Sequence, residues 1–507
     1  MRQVLQLGHV VRCERAWAWQ ACGAGMRQQE RTFGDAPASQ MPGLGGVGAS
    51  YNRSSVAGVP VFLPVPGPCA MLRRPQGWRA GMVRRHPRRD FCVIAMTVSA
   101  SNPSLPTSDT TAAKPLPLQG VRVVEFSHMV MGPSCGMVLA DLGAEVIKVE
   151  PVEGDRTRHL LGAGAGFFPM FNRNKKSIAI DLRSAEGLQA AIRLAASADV
   201  VLQNFKPGVM KKYGLDYATL SQLSPGLIYV NHTGFLPGPY ERRTALDEVV
   251  QMMGGLAYMT GRPGDPLRAG TSVNDIMGGM FGAIGAMAAL MQRAQTGQGQ
   301  EIDSALFENN VFLMGQHMMQ YAVTGQAAAP MPDRISSWAM YDVFTAQNGE
   351  QIFLAAVSDA QWRTFCDAMG YDDLKHDPQL QTNNDRVRAR STMMPVLRER
   401  LAQHTAAALA AIFEQHQLPF APISRPEQLF DDPHLNATGG LAEVVLTDGE
   451  RAGKTARTTL MPLRMDGQRL PVRSSPPTVG QHTAELLQGL GYTAEDIAQL
   501  QSSGAVA

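Results

Sequence analysis

Cysteine is scarce in this 507-residue chain, and its placement excludes several classes of protein. Of six cysteines, Cys13, Cys22, Cys69 and Cys92 lie in the first 95 residues, which leaves Cys135 and Cys366 for everything after. Two cysteines so far apart supply neither a disulfide framework nor a CxxC metal pattern, which suits a reducing compartment. Lysine is absent from residues 1–95, beside 13 arginines and four acidic residues, a local net charge of +9. The whole chain carries +2, so the remainder carries −7. No run has the length and apolarity of a membrane helix. The nearest, residues 276–292, is uncharged but rich in glycine and alanine and slightly short, and reads as a buried helix. What is present is a globular composition, 44% hydrophobic and 18% charged, in a chain long enough for more than one domain.

Residues 1–95 show no sustained hydrophobic period, with glycine, proline and arginine scattered through them. Their composition favours an upstream extension ahead of a true start at Met96. A disordered basic tail and an arginine-rich targeting presequence are the alternatives. Residues 97–115, rich in Ser, Thr and Pro, read as a disordered approach segment. Order is expected from Leu116. Short apolar runs at 121–126, 145–150, 200–203 and 227–230 read as strands. Between them, Pro133 suits the first position of a helix, Gly143 its end, and Ser184 the cap of another. Strands separated by helices predict a parallel, doubly wound sheet. Further on, Gln347-Asn348-Gly349 between two strand-like runs predicts a hairpin, and a helix is expected to start near Thr405. Residues from about 320 to 435 therefore read as a second, mixed α+β domain.

Three motifs carry candidate chemistry. Gly43-x-Gly45-x-x-Gly48 matches a dinucleotide fingerprint by letter, but no strand precedes it and no helix follows. The first strand–helix turn, Ser127 to Pro133, lacks the glycine spacing of a pyrophosphate loop, which argues against an NAD enzyme. Gly132-Pro133-Ser134-Cys135-Gly136 matches the GxSxG elbow of serine hydrolases. An elbow serine sits at the strand end, whereas here five residues follow Phe126 first, so a helix start made of small residues is favoured. Asp275 opens a long uncharged helix. It is expected at the N-cap, ionised by free N–H groups and the helix dipole, with Gly278 and Gly279 leaving room for a substrate. Plain capping and catalysis both fit those residues.

Taken in order, Gly120-Val-Arg-Val-Val-Glu125-Phe, His128, Gly132-Pro133, Leu142 to Glu150, Asn174-Lys-Lys-Ser-Ile178, Asn204-Phe-Lys-Pro-Gly208, Asp275, Gly297-Gln-Gly-Gln300 and Gly480-Gln-His-Thr483 form a set. The set resembles the family III CoA-transferases, the CaiB/BaiF or formyl-CoA transferase-like proteins, over about 116–500. The resemblance implies a Rossmann-like large domain with a parallel sheet (116–320), a smaller α+β domain (321–435), a segment returning to the large domain (436–507) after a leader (1–115), and an interlocked homodimer. It implies that Asp275 is the nucleophile, forming a mixed anhydride and then an aspartyl-CoA thioester, a form of covalent catalysis.

CoA contacts are implied at His128, Val130, Met131, Asp181, Arg183, Asn204, Phe205, Lys206 and Lys212. Three residues depart from the formyl-CoA transferase pattern: Asn274 replaces a glycine before the nucleophile, Pro151 an arginine, and Thr244 a lysine. No counterpart of the glycine-rich loop is found near 325–340, so oxalate and formate are not implied. A 2-methylacyl-CoA racemase shares the fold but needs a histidine where this chain has Leu246, just before Asp247. The partners implied are an acyl-CoA and a small carboxylic acid in the cytoplasm, with no metal, nucleic acid, membrane or permanently bound cofactor.

Overall fold

The computed structural model describes residues 114–334 and 336–507. The basic leader with its four cysteines, nearly all of the Ser/Thr/Pro stretch and the Gly43-x-Gly45-x-x-Gly48 match lie outside the described residues.

Six strands form one parallel sheet: β1 (Arg122–Phe126), β2 (Glu145–Glu150), β3 (Lys175–Ala179), β4 (Val200–Gln203), β5 (Ile228–Thr233) and β6 (Gln300–Ala305). Their order across the sheet is β3-β2-β1-β4-β5-β6, the doubly wound α/β arrangement. The apolar strands follow the expectation, whereas β3 and β6 carry too many charges to read as buried runs. Lys175 and Lys176 sit in β3 because carboxylates on other strands of the sheet meet them, Glu125 of β1 at 2.7 Å and Glu145 of β2 at 2.8 Å.

Alternation along the strands builds two cores. Val124, Phe126, Ile147, Val149, Ile178 and Val201 face α2 (Ala185–Ala196). Val123, Val146, Val200, Leu202, Ile228 and Val230 face α1 (Met131–Asp141) and the long α4 (Val273–Thr296). Burying each such side chain contributes about 1.5–3 kcal/mol, which is why a sheet covered on both faces tolerates few polar residues. Ser184 caps α2 as expected, its hydroxyl accepting from Gly187 N at 2.8 Å. Helix α1 starts two residues earlier than expected, so Pro133 is third in the first turn, where its missing N–H still costs nothing.

Helix α4 has the length and hydropathy of a membrane span, but its small-residue face, Gly278, Gly279, Gly282, Ala283, Ala286 and Ala289, is buried in the protein. These residues let backbones approach. A Cβ on Gly279 would stand 2.6 Å from Met131 O and 2.9 Å from Cys135 N. Helix α3 (Asp247–Met253) precedes α4, and α5 (Leu306–Thr324) follows β6.

A separate core lies among residues 339–418. Strands β7 (Met340–Thr345) and β8 (Gln351–Ala356) form the expected hairpin, with β9 (Phe420–Pro422) antiparallel beside β8. Three helices pack on it: α6 (Asp359–Met369), α7 (Arg390–Leu401) and α8 (Ala406–Gln415), the last capped by Thr405. Beyond the β10 (Leu441–Val445) and β11 (Thr455–Thr459) hairpin, α9 (Thr483–Gly489) and α10 (Ala494–Ser502) return to the first core through Leu486, Leu487, Ile497 and Leu500.

Candidate active site

In a sheet of this order the chain turns left after β1 and right after β4, which opens a crevice beyond the carboxyl ends of those two strands. The loops after β1 and β4 carry His128 and Asn204, and they interlock. Asn204 Oδ1 accepts from His128 N at 3.0 Å, and Asn204 Nδ2 donates to His128 O at 2.6 Å. Met129, next in the loop, has φ of 64°, a left-handed conformation uncommon outside glycine. Its N–H donates to Thr157 Oγ1 at 3.2 Å, and Lys148 Nζ donates to Ser127 O at 2.7 Å. Four anchors thus hold one short loop. The amide of Asn204, expected as a CoA contact, is occupied by this role.

Beneath the loop lies a buried charge cluster. Lys148 Nζ meets Asp155 at 2.8 Å, and Lys175 meets Glu125 at 2.7 Å, all four side chains nearly inaccessible. Burial opposes every one of these charges, so their state depends on their partners. Burial dominates at Lys175, whose ammonium is pulled down to about 8 although Glu125 opposes the fall. Burial raises the Asp155 carboxyl, but Lys148 and Thr157 outweigh it and hold the group at about 2. His128 lies above the cluster with its ring 5.6 Å from that of Phe205, and desolvation of the ring by the surrounding protein, aided by Lys148 and Arg156 against Asp155, pushes it below the usual imidazole range.

Three clefts meet at Phe205. One of about 440 Å³ is lined by His128, Met129, Pro151, Asp155 and Thr157. A second, about 300 Å³, is lined by Pro151, Ile180, Asp181, Leu182 and Arg183. A third, about 740 Å³, carries Lys206, Lys211, Arg242 and Arg243. His128, Asp181, Arg183, Asn204, Phe205 and Lys206 are therefore gathered along one cleft system. Lys212 is not among the lining residues; its ammonium lies 5.6 Å from the Tyr213 ring, and Lys211 lines the basic cleft instead. Val130 and Met131, 1% and 4% exposed, are packed in the core and do not line these clefts. A larger hollow of about 770 Å³ beside β8 and α8 holds none of these residues.

Asp275 is the third residue of α4, after the cap position Ser272, which corrects the N-cap expectation. The capping acceptor comes from elsewhere. Asp247 Oδ2 accepts from Asn274 N at 2.7 Å and Asp275 N at 3.0 Å. Burial, with Asp247 and then Glu248 nearby, pushes the Asp275 carboxyl up to about 7, against the helix-start N–H groups expected to favour its ionised form. Gly278 and Gly279 serve the close approach of α1 and not a substrate, since a Cβ on Gly278 would lie 2.3 Å from Met131 Cε. Ile276 packs beside Val130. Asn274 is fully buried, so the departure at that position is absorbed inside the protein. Ser134 is buried within α1, its hydroxyl donating to Val130 O at 2.5 Å, which is not the geometry of a nucleophile elbow.

A model of "CoA-transferase family III" matches residues 118–483. This chain belongs to that family. The family III chain is 33% identical over 396 residues to the succinyl-CoA–D-citramalate CoA-transferase of Chloroflexus aurantiacus, covering 76% of this chain and 98% of that protein. It is likewise 33% identical over 396 residues to the succinate–glutarate CoA-transferase of Agrobacterium fabrum, with the same shares covered. Among solved structures, a CaiB/BaiF family protein from Brucella suis superposes with a TM-score of 0.66 at 34% identity, covering 74% of this chain and all of that one. The family III enzyme is a CoA-transferase, and CoA thioesters are its substrates. Asp155, Thr157 and Asp247, which hold the loop and the helix start, were not singled out as site residues from sequence. The Asp155-x-Thr157 pair was the one visible signal, since Asp two residues before Thr is a common turn.

Proposed function

We propose that this family III enzyme moves CoA from succinyl-CoA, or a closely similar acyl-CoA, to a small carboxylic acid, with Asp275 as the nucleophile. What supports this reading is the family match over residues 118–483 together with the place of Asp275 at the start of α4, where the next residue, Ile276, packs beside Val130 of the turn that follows β1. The Asp275 carboxylate attacks the thioester carbonyl, the C–S bond breaks, and CoA thiolate leaves a mixed anhydride. The thiolate attacks the aspartyl carbonyl, releasing the donor acid and leaving aspartyl-CoA. The acceptor carboxylate attacks that thioester, and the thiolate then attacks the acceptor acyl carbon, which frees Asp275. No proton is consumed overall, and each step exchanges groups of similar energy. Water exclusion protects the anhydride. The nucleotide and its phosphates would lie along the clefts lined by Arg183, Phe205 and Lys206, where cationic groups suit phosphate.

A small dicarboxylic acid is the favoured acceptor, because the relatives' names pair succinyl-CoA with citramalate and succinate with glutarate. The functional form is an interlocked homodimer. Met291, Phe312 and Val323 on α4 and α5 are more than two-thirds exposed, an apolar surface that a second copy would cover. Among the described residues, the free buried thiols Cys135 and Cys366 suit the cytoplasm.

Intact mass after mixing with succinyl-CoA should reveal a CoA-sized adduct that maps to the peptide holding Asp275. Asp275→Ala should fold, bind CoA and lose transfer by orders of magnitude. A near-normal rate in that variant would remove Asp275 from the mechanism.

A further inference from the structure

β3 ends one side of the sheet, so one of its edges has no strand beside it. An open edge leaves a row of unpaired N–H and C=O groups. Here residues 480–507 fill that row group by group. Ser177 N donates to His482 Nδ1 at 3.2 Å, and Ser177 O accepts from His482 N at 2.9 Å. Ala179 N donates to Thr483 Oγ1 at 3.2 Å, and Ala179 O accepts from Ala507 N at 3.1 Å. Val506 bridges Ile180 in antiparallel fashion, and Asp181 N donates to Ala505 O at 2.9 Å. Gly480, at φ of 64°, donates to Ser177 Oγ at 3.0 Å, and a Cβ there would stand 2.5 Å from Ala507 O. The Gly480-Gln481-His482-Thr483 motif therefore has a defined task. It offers one side-chain acceptor to each of two successive edge N–H groups, while Ala505 and Ala507 serve the next positions. Ala505 and Val506 are buried to 0% and 2% exposure, so this is a packed contact and not a loose tail.

The edge runs directly into the second cleft. Asp181, whose N–H is held by Ala505 O, grips Arg183 with its carboxylate at 2.8 Å from Nε and 2.9 Å from the backbone N. Arg183 is otherwise free to move, its side chain 76% exposed. Ser177 Oγ, the other clamped point, bonds to Glu150, which also accepts from Asp155 N at 2.9 Å below His128.

We propose that His482, Thr483 and residues 505–507 form a positioning clamp that sets the Asp181–Arg183 turn and thereby the affinity for the nucleotide end of acyl-CoA. The clamp rests on the reading that the clefts hold CoA. It does not touch the reacting atoms, so its loss acts on binding and not on the chemical step.

The test compares succinyl-CoA with S-succinyl-pantetheine, which has the same thioester but no nucleotide. Wild type is measured beside a full-length Thr483→Val variant and a chain lacking residues 505–507, with thermal melts to show that each is folded at the assay temperature. The expected result is a KM for succinyl-CoA raised about tenfold, kcat within twofold, and an unchanged kcat/KM for succinyl-pantetheine. Arg183→Ala should raise the same KM, and adding the truncation should raise it little further, the coupling expected of two links in one chain. An unchanged KM in both clamp variants overturns the clamp, as does an equal loss with both donors. A wild-type enzyme with equal KM for the two donors overturns instead the placement of the nucleotide in these clefts.

Discussion

The carboxylate of Asp247 accepts the backbone N–H of Asp275 at 3.0 Å, so one acid caps the helix turn that carries another. The arrangement has two opposed effects. The capping bonds fix the start of α4, while the negative charge opposes ionisation of Asp275.

Asp247→Ala should therefore separate stability from acidity. Loss of two buried backbone bonds costs about 1–2 kcal/mol, read as a lowered melting temperature. Removal of the charge should move the acid limb of the pH–rate profile to lower pH. An acid limb that stays put or moves up would mean that Asp247 does not act on Asp275 through its charge.

With Asp275 as the proposed nucleophile, its carboxyl sets the expected pH dependence. Only the carboxylate attacks a thioester, so transfer should rise as pH increases through about 7. Stability should run the other way. An aspartate bound to its proton until about 7 in the folded state, but only until about 3.9 when unfolded, favours the folded state fully at low pH. That contribution is lost as pH rises from 4 to 7. Asp275→Asn, neutral at every pH, should match wild type near pH 4 and exceed it by about 1–3 kcal/mol at pH 8. Equal melting temperatures at pH 8 would show that the acid is not strained.

How far the sequence led follows from which interactions are local. Strands made of consecutive apolar residues were legible, as were the caps at Ser184 and Thr405, because each depends on neighbours within a few residues. β3 was not, since Lys175 is buried and Lys176 half-buried only because Glu125 and Glu145 lie on other strands. The same limit explains the site. A helix start at Asp275 could be read, but the acid that caps it stands 28 positions earlier. Gly278 and Gly279 were recognised as spacers, yet what fills the space is α1, which only the packed structure reveals.

The buried cluster under His128 should be intolerant of change. Asp155 is the nearest carboxylate to Lys148, at 2.8 Å, and also holds Thr157, which anchors Met129. Asp155→Ala leaves a buried ammonium without its main partner, a change that costs about 3–5 kcal/mol. Thermal unfolding should register it. Any folded fraction should show a raised KM for acyl-CoA, because the left-handed Met129 loop loses an anchor. A melting temperature within a degree of wild type would contradict this account of the cluster.

The remaining question is which chemistry the site performs on the acyl group. Exchange at the α-carbon of a thioester with inversion needs a base on each face. Leu246, 57% exposed at the cap of α3, carries no titratable group. Asp247, 5% exposed, has its oxygens occupied by Gln251 and by the N–H groups of Asn274 and Asp275, so it cannot serve as the second base without releasing α4. In the proposed mechanism Asp275 attacks the carbonyl carbon, which leaves no second base for α-proton exchange. Incubation of the enzyme with a chiral 2-methylacyl-CoA in heavy water should therefore leave the α-position undeuterated and its configuration intact. In a parallel tube CoA should move from succinyl-CoA to an added dicarboxylic acid. Rapid deuteration with no acceptor present, and no transfer to any acid supplied, would reassign the site to proton exchange.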